Sequence, residues 1–231
     1  MESAGLPMRR RGCRGLYDFR LNKSGICDAG LGCLAEALRG GGGAELRALI
    51  VRDSPVGVAG LEVLAQALVS GACPNLKILE FWQPTGPPGA RLPEKSALAA
   101  VLGGHAPCSA SLRTIFLPRM YDEDLFQLAA VLSEPTAVRV QILKLGTWGP
   151  GIDGVTAMLE ALRHHGEMSL TYVGLIVEAD DVEAADQWLT EALDRGWYPK
   201  LESVGFQAAG IEVDPSKVQA LAALRRRREA R

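Results

Sequence analysis

The feature that most constrains this chain is a pattern of apolar residues that returns about every 30 positions. Its clearest copy begins with a short segment at Leu46, Leu49 and Val51 and continues with a stripe at positions 61, 64, 65 and 68. The alternation in the first part indicates a strand, and the i, i+3, i+4, i+7 spacing of the second indicates a helix. The next segment starts at Leu76, 30 residues after Leu46, and such a return is typical of a repeat protein.

Seven such strand–helix units can be traced along the chain. Their strands start at residues 16, 46, 76, 112, 140, 170 and 201. In the third unit the stretch PTGPPGARLP separates strand from helix, and it predicts a projecting loop because proline cannot join a strand or helix interior. One unit cannot bury its apolar side alone, so the units are expected to stack.

The pattern divides the chain into three segments. Residues 1–15 carry four arginines without periodicity and are predicted to be a disordered basic arm. Residues 16–224 form the repeat body, and residues 225–231 form a basic C-terminal tail. The run Arg225–Arg228 suits the C-terminus of the last helix and a polar end to the stack, with a nuclear-localisation role as the alternative.

Composition and charge exclude several classes of function. The formal net charge of −2 gives no general attraction to nucleic acid or to an anionic membrane. No apolar run approaches the roughly 18 residues of a membrane-spanning helix, and the first 15 residues lack the apolar stretch of a secretory signal. We therefore predict a cytoplasmic protein, with the nucleus as the alternative, and expect neither membrane nor nucleic acid as its main partner.

No pattern of reactive residues predicts a metal, a cofactor or a catalytic centre. Five cysteines without a CxxC pair favour reduced thiols that act as small apolar residues. Cys73, His105 and Cys108 could be imagined as metal ligands, but no two of them have the usual ligand spacing. The chain also lacks the nucleophile-elbow, zinc-protease and P-loop patterns.

The strands of LxxLxL type and helices such as LEVLAQAL and MLEAL resemble those of the leucine-rich repeat family. Units of about 30 residues are similar to its ribonuclease-inhibitor type, and the resemblance covers residues 16 to 224. It implies an α/β, right-handed solenoid of about seven repeats, with parallel strands on the concave side and helices on the convex side. Protein recognition is the function that the family usually implies.

One position departs from the family pattern. The family places Asn or Cys three residues after the last apolar strand position, where the side chain links neighbouring turns. This chain has Ser24, Ser54, Pro84, Met120, Trp148, Glu178 and Ala209 there. Only the two serines can partly substitute, so the repeats are degenerate.

Alternate strand residues are expected to point away from the core, to the open side of the sheet. Among them is a group of apolar and aromatic residues with a few charges, a composition that protein recognition favours. We therefore predict a non-enzymatic protein-binding module whose contact residues are Arg52, Ile78, Glu80, Trp82, Phe116, Lys144 and Tyr172, with Ile50 and Ile142 between them.

Two alternatives stay open at this point. Acidic links between strand and helix, such as Asp122, Glu123 and Asp124, could attract a basic partner, as in a regulator of a small GTPase resembling Ran GTPase-activating protein. The same acids also complement helix dipoles. Less favoured is a dinucleotide-binding enzyme centred on the GxGxxG motif at Gly149–Gly154, with Glu178 near the place of a ribose-binding acid.

Overall fold

The computed structural model describes residues 15–82, 91–147, 149, 151–163, 170–208 and 211–229. In these ranges strands and helices alternate along the chain, except that the last two strands follow one another directly. The strands are β1 (Asp18–Asn22), β2 (Ala48–Arg52), β3 (Ile78–Trp82), β4 (Thr114–Met120), β5 (Ile142–Thr147), β6 (Tyr172–Val177), β7 (Ser203–Ala208) and β8 (Ile211–Glu212). The helices are α1 (Asp28–Ala37), α2 (Val58–Val69), α3 (Ala97–Leu102), α4 (Asp122–Leu132), α5 (Asp153–Arg163), α6 (Val182–Asp194) and α7 (Gln219–Glu229).

A single sheet contains these strands in chain order, and β1 to β7 pair in parallel. The short β8 turns back and pairs with β7 in the antiparallel sense, which the repeat pattern does not predict. Neighbouring helices pack against one another, from α1 on α2 to α4 on α5, and α6 on α7. This is an α/β architecture built on one mainly parallel sheet, and it is compatible with a solenoid.

The junctions between successive strands share one hydrogen-bonding arrangement. The carbonyl of Tyr17 accepts the amides of Arg47 and Ala48 at 2.8 and 3.1 Å. In the same way, the carbonyls of Arg47, Lys77, Arg113, Gln141 and Thr171 each accept two amides. One amide belongs to the first residue of the following strand and the other to the residue before it. Each acceptor stands one residue after a predicted strand start, so the units are equivalent in backbone geometry as well as in sequence.

The core lies between the sheet and the helices and consists of the positions that define the sequence pattern. Leu49 of β2 and Leu61, Leu64 and Ala65 of α2 have no exposed surface. They belong to one contiguous apolar cluster that extends from the first helix to the last. Full burial of a leucine side chain contributes about 1.5–3 kcal/mol, so the predicted helical stripe is also the stabilising side of the helix.

Strand β4 departs from the repeat near Pro118. The sequence pattern places Pro118 on the open side beside Gly146, but the register shifts after Phe116, and Arg119 pairs with Gly146 instead. Proline has no amide hydrogen to donate to a neighbouring strand, so within a sheet it is accommodated at a bulge. The prediction for this position was wrong, and Arg119 takes the place on the open side.

The predicted arm, loop and tail have different outcomes in the structure. Almost all of the predicted arm, and most of the loop predicted at 84–93, lie outside the described residues. The arginines predicted to start the C-terminal tail lie within α7, which continues to Glu229. Arg227 donates to the carbonyls of Leu193 and Tyr198, both at 3.1 Å, and thereby joins the end of α6 to α7.

Candidate functional site

Strand side chains that alternate away from the core form rows across the sheet, and we call this surface the open face. The first row is Asp18, Ala48, Ile78, Thr114, Ile142, Tyr172 and Ser203. The second row is Arg20, Ile50, Glu80, Phe116, Lys144, Gly174 and Gly205. In both rows, each residue is the register partner of its neighbour, so the predicted alignment of these positions is confirmed.

The middle of the open face presents a run of accessible apolar and aromatic side chains. They lie on four adjacent strands, β3 to β6, and are neither fully buried nor fully exposed. Aromatic and aliphatic anchors beside a few charges are characteristic of protein-recognition surfaces. The half-buried apolar and aromatic members are Ile78, Phe116, Ile142 and Tyr172, and the half-buried Lys144 lies among them.

Two predicted members of this surface lie too deep for direct contact with a partner. Ile50 is 6% exposed and Glu80 is 3% exposed. The Glu80 carboxylate accepts a hydrogen bond from Arg52 Nε at 2.5 Å, and the Arg52 side chain is 40% exposed. Because a buried carboxylate needs a partner, Glu80 holds Arg52 in place and Arg52 is the residue presented to the surface. The side chain of Trp82 lies outside the described part of the molecule.

The geometry around Phe116 and Tyr172 shows why these side chains are presented. Lys144 Nζ lies 5.8 Å from the centre of the Phe116 ring, one strand away, at the distance of a cation–π contact. The Tyr172 ring lies over Gly174 and Gly205, where an added Cβ would come within 3.1 and 2.6 Å of the Tyr172 hydroxyl. The two glycines therefore leave the space that lets Tyr172 lie across β6 and β7.

Two serines, Ser24 and Ser54, connect neighbouring turns of the chain. Ser24 Oγ and Ser54 Oγ are 3.2 Å apart and share a hydrogen bond. The residues just before them, Lys23 and Asp53, both have left-handed φ angles, of 51° and 50°. The first two units thus turn in the same way, and the two serines hydrogen-bond to each other between them.

Acidic residues in the first two turns of several helices accept hydrogen bonds from the next unit. Asp28 accepts the amide of Gly57 at 2.7 Å. Glu62 accepts the hydroxyl of Ser96 at 2.7 Å and the amide of Leu98 at 3.2 Å, at the start of α3. The first amides of a helix have no partner within the helix and favour a negative charge nearby.

The same arrangement occurs at the start of α7, where Asp186 of α6 accepts the amides of Gln219 and Ala220 at 2.7 and 2.9 Å. Asp124 of α4 instead accepts the amide of Leu92, which lies before α3 in the preceding unit, at 2.9 Å. Of the acids predicted to attract a basic partner, Asp124 is thus used within the fold, and Glu123 pairs with Arg91.

The glycine motif holds one of the protein's own carboxylates where a dinucleotide phosphate would bind. The amide of Gly151 donates to Asp181 at 2.7 Å. Glu178, the candidate ribose-binding acid, instead pairs with Arg119, whose Nη1 donates to its Oε1 at 3.3 Å. A carboxylate at the phosphate position repels the ligand, so the geometry favours a structural role for the motif.

The last glycine of the motif permits two helices to approach closely. A Cβ added to Gly154 would lie 2.7 Å from Asp122 Oδ1, and one added to Gly60 would lie 2.5 Å from Asp28 Oδ1. These are equivalent contacts between successive helices. Burial raises the pKa of the Asp122 carboxyl, while a hydrogen bond from the Gly154 amide acts in the opposite direction.

Arg119 is the residue of this surface that sequence reasoning missed. It is only 6% exposed, and a Cβ added to Gly146 would lie 2.7 Å from its Cγ. The signal was the proline inside a strand pattern, because it implies a bulge and a changed register. Arg119 therefore packs under the carboxyl end of the open face and links β4 to the residue after β6.

The described part of the chain has neither a metal-binding group of side chains nor a membrane-spanning helix. Among the described residues, no three His, Cys, Asp or Glu side chains are grouped so that they could hold a metal ion. No helix in the described ranges has the length and apolar character needed to cross a membrane. No protein-family model matches the chain, and no curated protein sequence is significantly similar to it.

Proposed function

We propose that the chain is a right-handed leucine-rich-repeat solenoid of the ribonuclease-inhibitor-like type, with about seven degenerate repeats. Three observations support this proposal. The strands start at intervals near 30 residues, six junctions share the same double hydrogen bond, and the first two turns are linked by serines. Backbone amides that donate to the carboxylates of a neighbouring unit take over part of the linking role in the later turns.

We further propose that the protein is a non-enzymatic module that binds another protein through its open face. The observation that carries this proposal is the run of half-buried apolar and aromatic side chains on four adjacent strands in register. Its location in the cytoplasm or nucleus stays a prediction.

The mechanism is presentation of anchors on a rigid sheet. Phe116 and Tyr172 offer large apolar area with only two side-chain torsions each, so little entropy is lost when a partner covers them. Lys144 places positive charge within this area, beside the Phe116 ring, whereas Arg52 on β2 is paired with the buried Glu80. A partner that fits this surface is expected to present an apolar patch with an acidic group facing Lys144.

Affinity capture with matched variants tests this proposal. Proteins captured from native cell extract by the wild type would be compared with those captured by the double variant Phe116→Ala, Tyr172→Ala. Truncating two aromatic anchors is expected to weaken a true partner about tenfold or more. The control is Phe126→Ala, because Phe126 is a phenylalanine 45% exposed on α4, outside the open face.

The result that supports the proposal is a partner kept by the control and lost by the double variant, whose circular dichroism should match that of the wild type. Recovery of every captured protein at the same level by all three chains would contradict it.

A further inference from the structure

A second surface lies apart from the open face, along the end of the sheet that is formed by the N-termini of the strands. Arg47, Lys77 and Arg113 stand one residue before β2, β3 and β4, at equivalent positions of three successive units. The equivalent residue before β5 is Gln141, which carries no charge, and Arg139 lies two residues earlier. We call Arg47, Lys77 and Arg113, together with the nearby Arg139, the basic rim.

The backbone fixes the spacing of the basic rim. The amide of Lys77 donates to the carbonyl of Arg47 at 2.8 Å, and the amide of Arg113 donates to the carbonyl of Lys77 at 2.9 Å. The three Cα atoms are therefore separated by the distance between neighbouring strands, about 4.8 Å. Ser111 Oγ also donates to the carbonyl of Leu76 at 2.8 Å, and this bond connects the segments that precede β3 and β4.

The positive charge of the basic rim is not neutralised by the rest of the described chain. Arg47, Lys77 and Arg139 are exposed, and none of the four rim residues forms a salt bridge with a residue that the structure describes. Arg113 donates to the carbonyls of Leu112 and Ala110 at 2.7 and 2.8 Å, and these bonds fix the direction of its guanidinium.

The rim residues also border a concavity. A cleft of about 370 Å³ is lined by Arg47 and Lys77 together with polar groups. Glu45 is the acidic residue of this lining, and the other members are Tyr17, Asn75 and Ser111. A row of cations beside an open cleft, with a backbone that does not need to reorganise, is suited to an anionic chain.

We propose that the basic rim binds an acidic segment of a polypeptide in extended conformation. Alternate residues of an extended peptide point to the same side about 7 Å apart, a spacing that arginine and lysine side chains on adjacent strands can span. Single-stranded nucleic acid fits less well, because its binding sites use several aromatic side chains for base stacking. The cleft has one aromatic residue, Tyr17, and the guanidinium of Arg47 already lies 5.2 Å from its ring centre.

Fluorescence anisotropy with two anionic probes tests this proposal on the full chain. The probes are a labelled octaglutamate peptide and a labelled oligouridylate with the same number of charges. The test variant is Arg47→Gln, Lys77→Gln. The control variant, Arg225→Gln, Arg226→Gln, removes the same charge from exposed positions on α7, far from the rim along the sheet.

At low salt the test variant is expected to bind the peptide about tenfold more weakly than the wild type, while the control stays within about twofold, because each exposed ion pair contributes modestly. Three outcomes would overturn the proposal: equal weakening by both variants, no peptide binding by the wild type, or tighter binding of the oligouridylate. Since this surface is separate from the open face, the result does not depend on the fate of the protein-binding proposal.

Discussion

At the scale of single residues, the glycines under Tyr172 decide the shape of the open face. A Cβ on Gly205 would meet only the far end of the Tyr172 side chain, with the hydroxyl at 2.6 Å. A flexible side chain can move away from such a contact at small cost, but the ring must then leave its position. The site can therefore be disturbed without disturbing the core.

The variant Gly205→Ala is predicted to change the free energy of unfolding by less than about 1 kcal/mol. We expect it to weaken partner capture by about fivefold, because Tyr172 is a proposed anchor and anchors dominate binding energy. Thermal denaturation and capture efficiency measure the two effects. Gly32→Ala is the control, since no atom lies within 4 Å of a Cβ at Gly32. Unchanged capture by Gly205→Ala would remove Tyr172 from the site.

The cysteines provide a second test at this scale. Burial raises the pKa of Cys73 to about 12 and that of Cys108 to about 11, whereas Cys27 and Cys33 are exposed. The thiolate is the reactive form. At pH 8, an alkylating reagent is predicted to modify Cys27 and Cys33 in the folded protein, and Cys73 and Cys108 only after denaturation. Peptide mass spectrometry reads out the sites, and early labelling of Cys73 would contradict the described packing.

The same thiols predict a dependence of stability on pH. Folding raises their pKa, so the folded state retains protons that the unfolded state loses above the ordinary thiol pKa of about 8.5. Their contribution to stability is complete below that value and is lost as the pH rises through about 11 to 12. Cys73→Ala should therefore flatten the fall in the free energy of unfolding between about pH 9 and pH 11. An unchanged slope in a urea titration series would contradict this.

At the scale of elements, helices are tied to their successors by carboxylates. Glu62 of α2 is 6% exposed and accepts hydrogen bonds at the start of α3, a helix of six residues. So short a helix has little stability of its own, because helix nucleation is costly. The contact from α2 therefore contributes much of what holds α3 in place.

Replacing Glu62 by Ala is predicted to lower the free energy of unfolding by about 2–3 kcal/mol, because buried amides lose a charged acceptor. Glu62→Gln keeps one acceptor oxygen and should cost less. Gln66→Ala, at an exposed position of the same helix, is the control and should stay within about 0.5 kcal/mol. Urea denaturation of the three variants measures these differences, and a Glu62→Ala stability equal to that of the control would contradict the cap.

This cap also shows which part of the fold the sequence predicts. The stripe Leu61, Leu64, Leu68 is set by the local helical period, and all three residues are buried as predicted. The bond from Glu62 to Ser96 joins residues 34 positions apart and exists only once two units have stacked. Local periodicity contains no information about such a contact.

For the candidate site, too, the sequence predicts which way a side chain points but not how deeply it is buried. The alternation of β2 and β3 predicts that Ile50 and Glu80 point to the open face, and the register confirms their row. Their burial depends on neighbouring strands and on the salt bridge from Arg52, which a single strand's pattern does not contain. In β4, the bulge shifts the register so that Arg119, and not Pro118, pairs with Gly146. Proline has no amide hydrogen for strand pairing, so it interrupts the strand's alternation.

At the scale of the whole molecule, the two edges of the sheet have different roles. In the first two turns of the helices, acids such as Asp28, Glu62 and Asp186 accept the amides at the start of the next helix. At the opposite end of the strands, Arg47, Lys77 and Arg139 are exposed and form no salt bridge with the described residues. The repeat thus separates charge that holds the stack together from charge that is available to a partner, and the open face lies between the two.

The open face and the basic rim exist only if successive strands are stacked in the register described here, so a pair of engineered cysteines tests the account most directly. Thr114 and Ile142 are register partners on β4 and β5, and their Cα atoms should lie about 4.8 Å apart, within disulfide range. Lys144 lies two residues further along, about 8 Å from Thr114 and outside that range.

The measurement is the extent of intramolecular disulfide formation under mild oxidation, in a chain whose Cys13, Cys27 and Cys33 are replaced by serine. We predict that Thr114→Cys with Ile142→Cys forms the disulfide and that Thr114→Cys with Lys144→Cys does not. Formation of the second bond to the same extent as the first, or in preference to it, would contradict the register and with it both proposed binding surfaces.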